Sequence, residues 1–329
     1  HLDILLQQII NGLTLGSLYA IVALGYTMVY GIIQLINFAH GEVVMLGAMI
    51  ALSVIGAASG SGTPPLLAVL AGVLAAVPAC MLLGYLMERI AYRPLRRAPR
   101  LAPLITAIGV SIVLQQVAMM FWSRNTLAFP QILPLHVYEV AGASISALQI
   151  AIIAICLLMM GGLALVVYRT RLGAAMRATS ENPDIAQLMG IDVDRVVGLT
   201  FVIGAGLAAV AGLLIGIYYG VAHYTMGATL GMKAFSAAVL GGIGNIPGAM
   251  LGGLLLGLVE ALGTGYIGDL SDLCQYHWLA TLFDERCANG GNLVLFGSNY
   301  RDVFAFVVLI LVLVFRPSGL LGERVADRA

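Results

Sequence analysis

The chain has 329 residues, 60% of them hydrophobic and 10% charged, with balanced charge and a mean hydropathy of +0.99. A soluble domain runs at about 45–50% apolar and about 25% charged. No soluble core hides this excess, which excludes a water-soluble enzyme or nucleic-acid-binding domain and leaves an all-α, polytopic membrane protein.

Runs of membrane length begin at residues 4–24, a stretch with no basic leader that reads as a span, not a cleaved signal. An awkward piece, GYTMVYGIIQLINFAHGE, precedes a second span at 41–58, which the GSGTPP turn ends. Further spans fall at 66–88, 102–122 and 147–168, then at 196–220, 225–243 and 247–265, and a last one at 302–315. The forty glycines suit such helices, because small residues let backbones approach closely. Cys80 and Cys156 fall inside apolar runs and read as small core residues.

Basic residues orient the spans. Arg89, Arg93, Arg96, Arg97 and Arg100 form one cluster; Arg169, Arg171, Arg177 and Arg195 form another; Arg316, Arg324 and Arg328 lie at the end. Only Arg124, Arg286, Arg301 and Lys233 fall elsewhere. By the positive-inside bias the clusters face the cytoplasm, giving about nine crossings with the N-terminus outside. Roughly eight to ten remain open, because residues 25–40 can fold back instead of crossing.

The polar stretch 169–198 carries a short helix with its own signals. Asn182 can cap it, Pro183 suits the first helical position, and Gly190 can close it as a left-handed residue. A rod of about 10 Å is too short to stand alone in water and needs something to pack on.

Two segments echo one another: GIIQLINFAHGEVVMLGAM from Gly31 and LGGIGNIPGAMLGGLLLGL from Leu240. Each is an apolar run broken by a glycine-rich or polar knot and then resumed. Paired interrupted segments in two halves of a transporter point to the substrate path, since non-helical backbone at that depth needs protein or water beside it. Asn37 and Asn245 lie in the knots. His40 and Glu42 follow the first one, at a spacing that does not suit a metal site, so they are either path or interface residues or caps at the membrane boundary. Lys233 and Glu260 line a polar cavity or pair with each other or with a neighbouring subunit, because buried ionisable groups are costly unless they serve a function. No catalytic constellation, metal site or phosphate-binding loop is visible: the single lysine is followed by Ala234, not by Ser or Thr. In the polar insertion 266–300, Cys274 and Cys287 form a disulfide in an oxidising exterior, worth about 3 kcal/mol by loop entropy, or remain two free thiols.

The stretches NGLTLGSLYAIVALGYTMVYGIIQLINFAHGE (11–42), MERIAYRPLR (87–96), TFVIGAGLAAVAG (200–212) and MKAFSAAVLGGIGNIPGAMLGGLLLG (232–257) resemble the bacterial branched-chain amino-acid ABC transporter permeases, in particular the LivH-type subunit. The resemblance implies an ABC importer permease fold forming one transmembrane domain over 1–329, in the bacterial inner membrane. It implies four kinds of partner: a second, LivM-type permease, two cytoplasmic ATPases that hold ATP and Mg, a periplasmic amino-acid-binding protein, and the lipid bilayer. Importers of this kind dock the ATPase through a loop of pattern E-A-A-x-x-x-G. Here Asp184, Ile185, Ala186 and Gly190 form a degenerate version within 169–198. Related chains are expected to pass quickly to the last helix, so the insertion 266–300 is a departure, placed where a binding protein would land. A secondary transporter or channel for small neutral solutes is the competing class.

Overall fold

The structure is a computed structural model that describes residues 2–96, 98–99, 101–130, 136–140, 142–267 and 301–322. In hydrocarbon every backbone N–H and C=O must find its partner within the chain, and an isolated span can do that only as a helix. Successive helices are α1 (Leu2–Ile33), α2 (His40–Gly60), α3 (Pro65–Leu86), α4 (Leu101–Phe121), α5 (Ala147–Arg169), α6 (Arg171–Glu181), α7 (Pro183–Leu188), α8 (Val193–Tyr219), α9 (Met226–Gly241), α10 (Ile246–Leu262) and α11 (Arg301–Phe315). Each expected apolar run carries a helix. Among the described residues, seven helical segments are long and apolar enough to cross a membrane, whereas α9, with 16 residues, and α11, with 15, are shorter. Among the described residues, strands are confined to two antiparallel pairs, β1 (Leu127–Ala128) with β4 (Val221–Ala222), and β2 (Val137–Val140) with β3 (Ala143–Ser146).

Segments α1 and α8 form the centre, with 78% of their apolar windows buried; α4 is the most peripheral, at 17%. Small residues make the centre tight. Helix α1 crosses α10 antiparallel, Gly12 facing Leu258 and Gly16 facing Leu254, and a Cβ on Gly16 would stand 2.7 Å from the Leu254 Cα. Helix α2 meets α8 in the same way, Gly47 against Ala209 and Gly212 against Val44. Backbones this close gain dispersion contacts, which drive helix association where lipid tails are as apolar as leucine.

Two boundaries differ from the sequence reading. Residues 25–33, expected to leave the first span, continue α1. The break comes at Gln34, whose φ of 54° is the positive value of a non-glycine among the described residues, and whose N–H donates to the Tyr30 carbonyl at 2.8 Å. The chain then runs back along α1, so that α2 begins with His40 beside Gly25. Helix α3 also runs on, through a π-helical turn (Met87–Tyr92) and a 3-10 turn (Arg93–Leu95).

Arginines of the first two basic clusters gather at one end of the bundle. Arg93 and Arg96 both reach Asp194 at the start of α8, at 2.6 and 2.5 Å, and Arg96 also pairs with the buried Glu88. Arg177 donates to the Val167 carbonyl near the end of α5. The opposite end carries the β2–β3 hairpin, where Ser144 donates its N–H to Gln7 of α1 at 2.8 Å.

Candidate functional site

Within 169–198 the local signals are realised. Asn182 Oδ1 accepts from the N–H groups of Asp184 and Ile185, at 3.0 and 3.1 Å, Pro183 is the first residue of α7, and Gly190 closes it with φ 86°. A second helix not read from the sequence, α6, precedes α7 and rests on the bundle through Gly173, Met176 and Thr179. Helix α7 turns Ala186 inward at 3% exposure, while Ile185, Leu188 and Met189 are 58%, 86% and 78% exposed. The close approach that Ala186 permits is therefore to the protein's own α6 and α8. Asp184 and Gly190 are exposed.

The loop reaches the interior through α6. Met176, Arg177 and Ser180 line a cleft with Thr27 and Gly31 of α1 and with Gly244 in the turn between α9 and α10. The two echoing segments meet at this point: a Cβ on Gly31 would lie 3.6 Å from the Gly244 Cα. The second knot turns on Gly242 and Gly244, with φ of 109° and 91°, a backbone that side chains resist. Asn245 Oδ1 caps α10 through the Gly248 N–H, and its Nδ2 donates to the Leu321 carbonyl at 2.8 Å. The N–H groups of Leu320 and Leu321 in turn satisfy the carbonyls of Leu240 and Gly241 at the end of α9.

Asn37, His40 and Glu42 are all buried inside this chain. Asn37 Oδ1 accepts from Tyr92 of the π-helical turn at 2.6 Å. His40 meets Tyr26 edge to face, with ring centroids 4.8 Å apart, in a space that exists because residue 25 is glycine; its Nε2 has no partner among the described residues. Glu42 Oε1 accepts from Gln115 Nε2 at 2.7 Å and from Ser111 Oγ at 3.0 Å, both on α4. Its Oε2 is enclosed without a hydrogen-bond donor among the described residues.

Lys233 and Glu260, read as cavity-lining or paired, are paired. Lys233 Nζ lies 3.1 Å from Glu260 Oε1 and 2.6 Å from Asp302 Oδ1, and Tyr19 Oη donates to Glu260 at 3.3 Å. Four helices, α1, α9, α10 and α11, thus meet on one ammonium. Asp302, Tyr19, Ser111, Gln115 and Tyr92 are site residues that the sequence reading missed. Ser111 and Gln115 carried a usable signal: they are polar and one turn apart in a mostly apolar helix. Cys80 and Cys156 are buried free thiols, and the Cys274–Cys287 pair lies outside the described residues.

A polytopic helical bundle with buried ion pairs, interrupted segments and an exposed, capped loop helix defines an integral membrane permease. Residues 8–313 match the family described as branched-chain amino acid transport system / permease component. The chain is 47% identical to the high-affinity branched-chain amino acid transport system permease protein BraD of Pseudomonas aeruginosa, over 97% of this chain and 96% of that one. It is 44% identical to LivH of Escherichia coli over 97% and 96% of the two chains, and 28% identical to a probable LivH permease of Methanocaldococcus jannaschii over 96% and 92%. No solved structure matches. The chain belongs to the branched-chain amino-acid transport permease family.

Proposed function

We propose that this chain is one permease subunit of an ATP-driven importer that carries branched-chain or related hydrophobic amino acids across the bacterial inner membrane. It pairs with a second, LivM-type permease and takes its energy from two cytoplasmic ATPases that bind ATP and Mg. A periplasmic binding protein delivers the amino acid. The observation that carries this reading is the near full-length likeness to BraD and LivH. Helix α7 supports the coupling part: a rod of six residues, capped at both ends, projects Ile185 and Leu188 away from the body, with Met189 just past its end. In this reading the basic end faces the cytoplasm, and α7, through α6 and the Gly244 turn, connects an ATPase to α1, α9 and α10. The test is reconstitution. The chain is expected to copurify with an ATPase and a second permease, and leucine-loaded binding protein should stimulate ATP hydrolysis and leucine uptake together. Uptake that needs only an ion gradient and no ATPase would reject the reading in favour of a secondary transporter.

A further inference from the structure

Glu42 stands out among the buried charges. Glu88 has Arg96 and Glu260 has Lys233, but no Lys, Arg or His among the described residues forms an ion pair with Glu42. Its side chain is fully enclosed, at 0% exposure. One oxygen is held by two neutral donors on α4, Gln115 and Ser111, and the other meets none. The second oxygen points at Gly227 at the start of α9, where a Cβ would run into it. Three elements thus enclose the carboxylate and leave one of its oxygens without a donor among the described residues: the first turn of α2, the polar side chains of α4 and a glycine of α9.

A carboxylate enclosed without a counter-charge is expensive, and polar membrane-buried groups default to substrate or ion pathways. The neutral donors hold the group in place and do not discharge it. Helix α4, which covers the site, is the least buried of the long apolar helices, so it is the wall that can move at least cost.

We infer that the Glu42 carboxylate, presented by Ser111 and Gln115, is the site on the translocation path that receives the ammonium group of the amino acid once α4 parts from α2. The inference rests on the amino-acid importer reading above. Chemically the ligand is a primary ammonium beside an apolar side chain, and the free oxygen supplies the charge-assisted acceptor that such a group needs. Ser111 and Gln115 occupy the other oxygen.

The test uses the complete reconstituted transporter with radiolabelled L-leucine and its binding protein, measuring leucine imported per ATP hydrolysed. If the parent transporter does not import leucine, the importer reading fails and Glu42 is not at issue. With an active parent, Glu42→Gln should assemble and keep its stimulated ATP hydrolysis. Leucine per ATP should fall by roughly ten- to a hundredfold, the worth of a hydrogen bond to a charged group. Glu42→Asp, which keeps the charge, should retain more transport than Glu42→Gln. Import and hydrolysis falling together, at an unchanged ratio, would mean that Glu42 only positions α2 and α4, and would overturn the inference. So would an unchanged ratio at the parent rate. If Glu42→Gln does not assemble, Gln115→Lys decides: it keeps the carboxylate and places an ammonium of the chain's own beside it. That variant should assemble with at least the parent's thermal stability and fail to import; import at the parent rate sinks the proposal.

Discussion

Removing Lys233 would strip the buried Glu260 carboxylate of the ammonium that pairs with it. The ammonium is 12% exposed and the carboxylate 0%, so solvent screens neither effectively. Breaking a buried pair from one side typically costs about 3–5 kcal/mol, whereas replacing both partners by apolar residues of similar volume is close to neutral. Lys233→Met is therefore expected to lower the thermal stability of the detergent-solubilised chain by an amount in that range. Lys233→Met combined with Glu260→Met should recover most of it; simple additivity in this double-mutant cycle would show that the pair is not coupled. Sequence reading identified both residues because a lysine and a glutamate inside apolar runs need an explanation. It did not identify Asp302 or Tyr19, which reach the same ammonium from α11 and α1. Nothing local to those helices encodes which faces will meet. Glu42 shows the same divide: its own position was conspicuous, but its two donors on α4 depend on a packing that period and composition leave free.

Elements were legible where their signals are local. The start and stop of α7 lie within nine residues, Asn182 to Gly190, and each does in the structure what its chemistry favours. The end of α1 was not legible, because Gln34 is a residue that rarely takes a left-handed backbone, and tertiary packing of the following segment against α1 holds it there. Helix pairing was legible only as a tendency, from the number of glycines. The structure assigns the tendency to particular crossings and makes it testable. At Gly16 a Cβ would meet backbone atoms of Leu254, which cannot swing aside, whereas at Gly56 of α2 nothing lies within 4 Å. Gly16→Ala is expected to push α1 from α10 and cost about 1–3 kcal/mol by overpacking. The same substitution at Gly56 should be neutral or stabilise the helix by up to about 1 kcal/mol. Thermal melts of the two variants side by side decide it, and equal behaviour would mean that the α1–α10 crossing has room for a methyl group.

On the scale of the whole molecule, two kinds of exposed apolar surface call for different partners. The broad one covers α3, α4 and α5, where Leu74, Ile105 and Leu158 stand well exposed along helices of membrane length, as a bilayer or a second permease requires. The small one is α7, where Ile185, Leu188 and Met189 project from a polar segment at the basic end, beyond the long helices. Lipid does not explain apolar side chains on a six-residue rod amid charged neighbours; a groove on another protein does. Leu188 is 86% exposed and packs on little of its own chain, so Leu188→Glu should leave insertion and thermal stability of the permease unchanged. If α7 is the ATPase anchor, that variant loses a buried contact at the centre of the interface. ATPase copurification should then weaken by roughly thirtyfold or more, the scale of an interface hot spot near 2 kcal/mol. Ala186→Glu is the opposite control: it drives a charge against α6 and α8, and should disorder the loop in the isolated permease before any partner is added. A Leu188→Glu permease that binds and stimulates its ATPase like the parent would move the anchor elsewhere, and would leave α7 as a connector between α6 and α8.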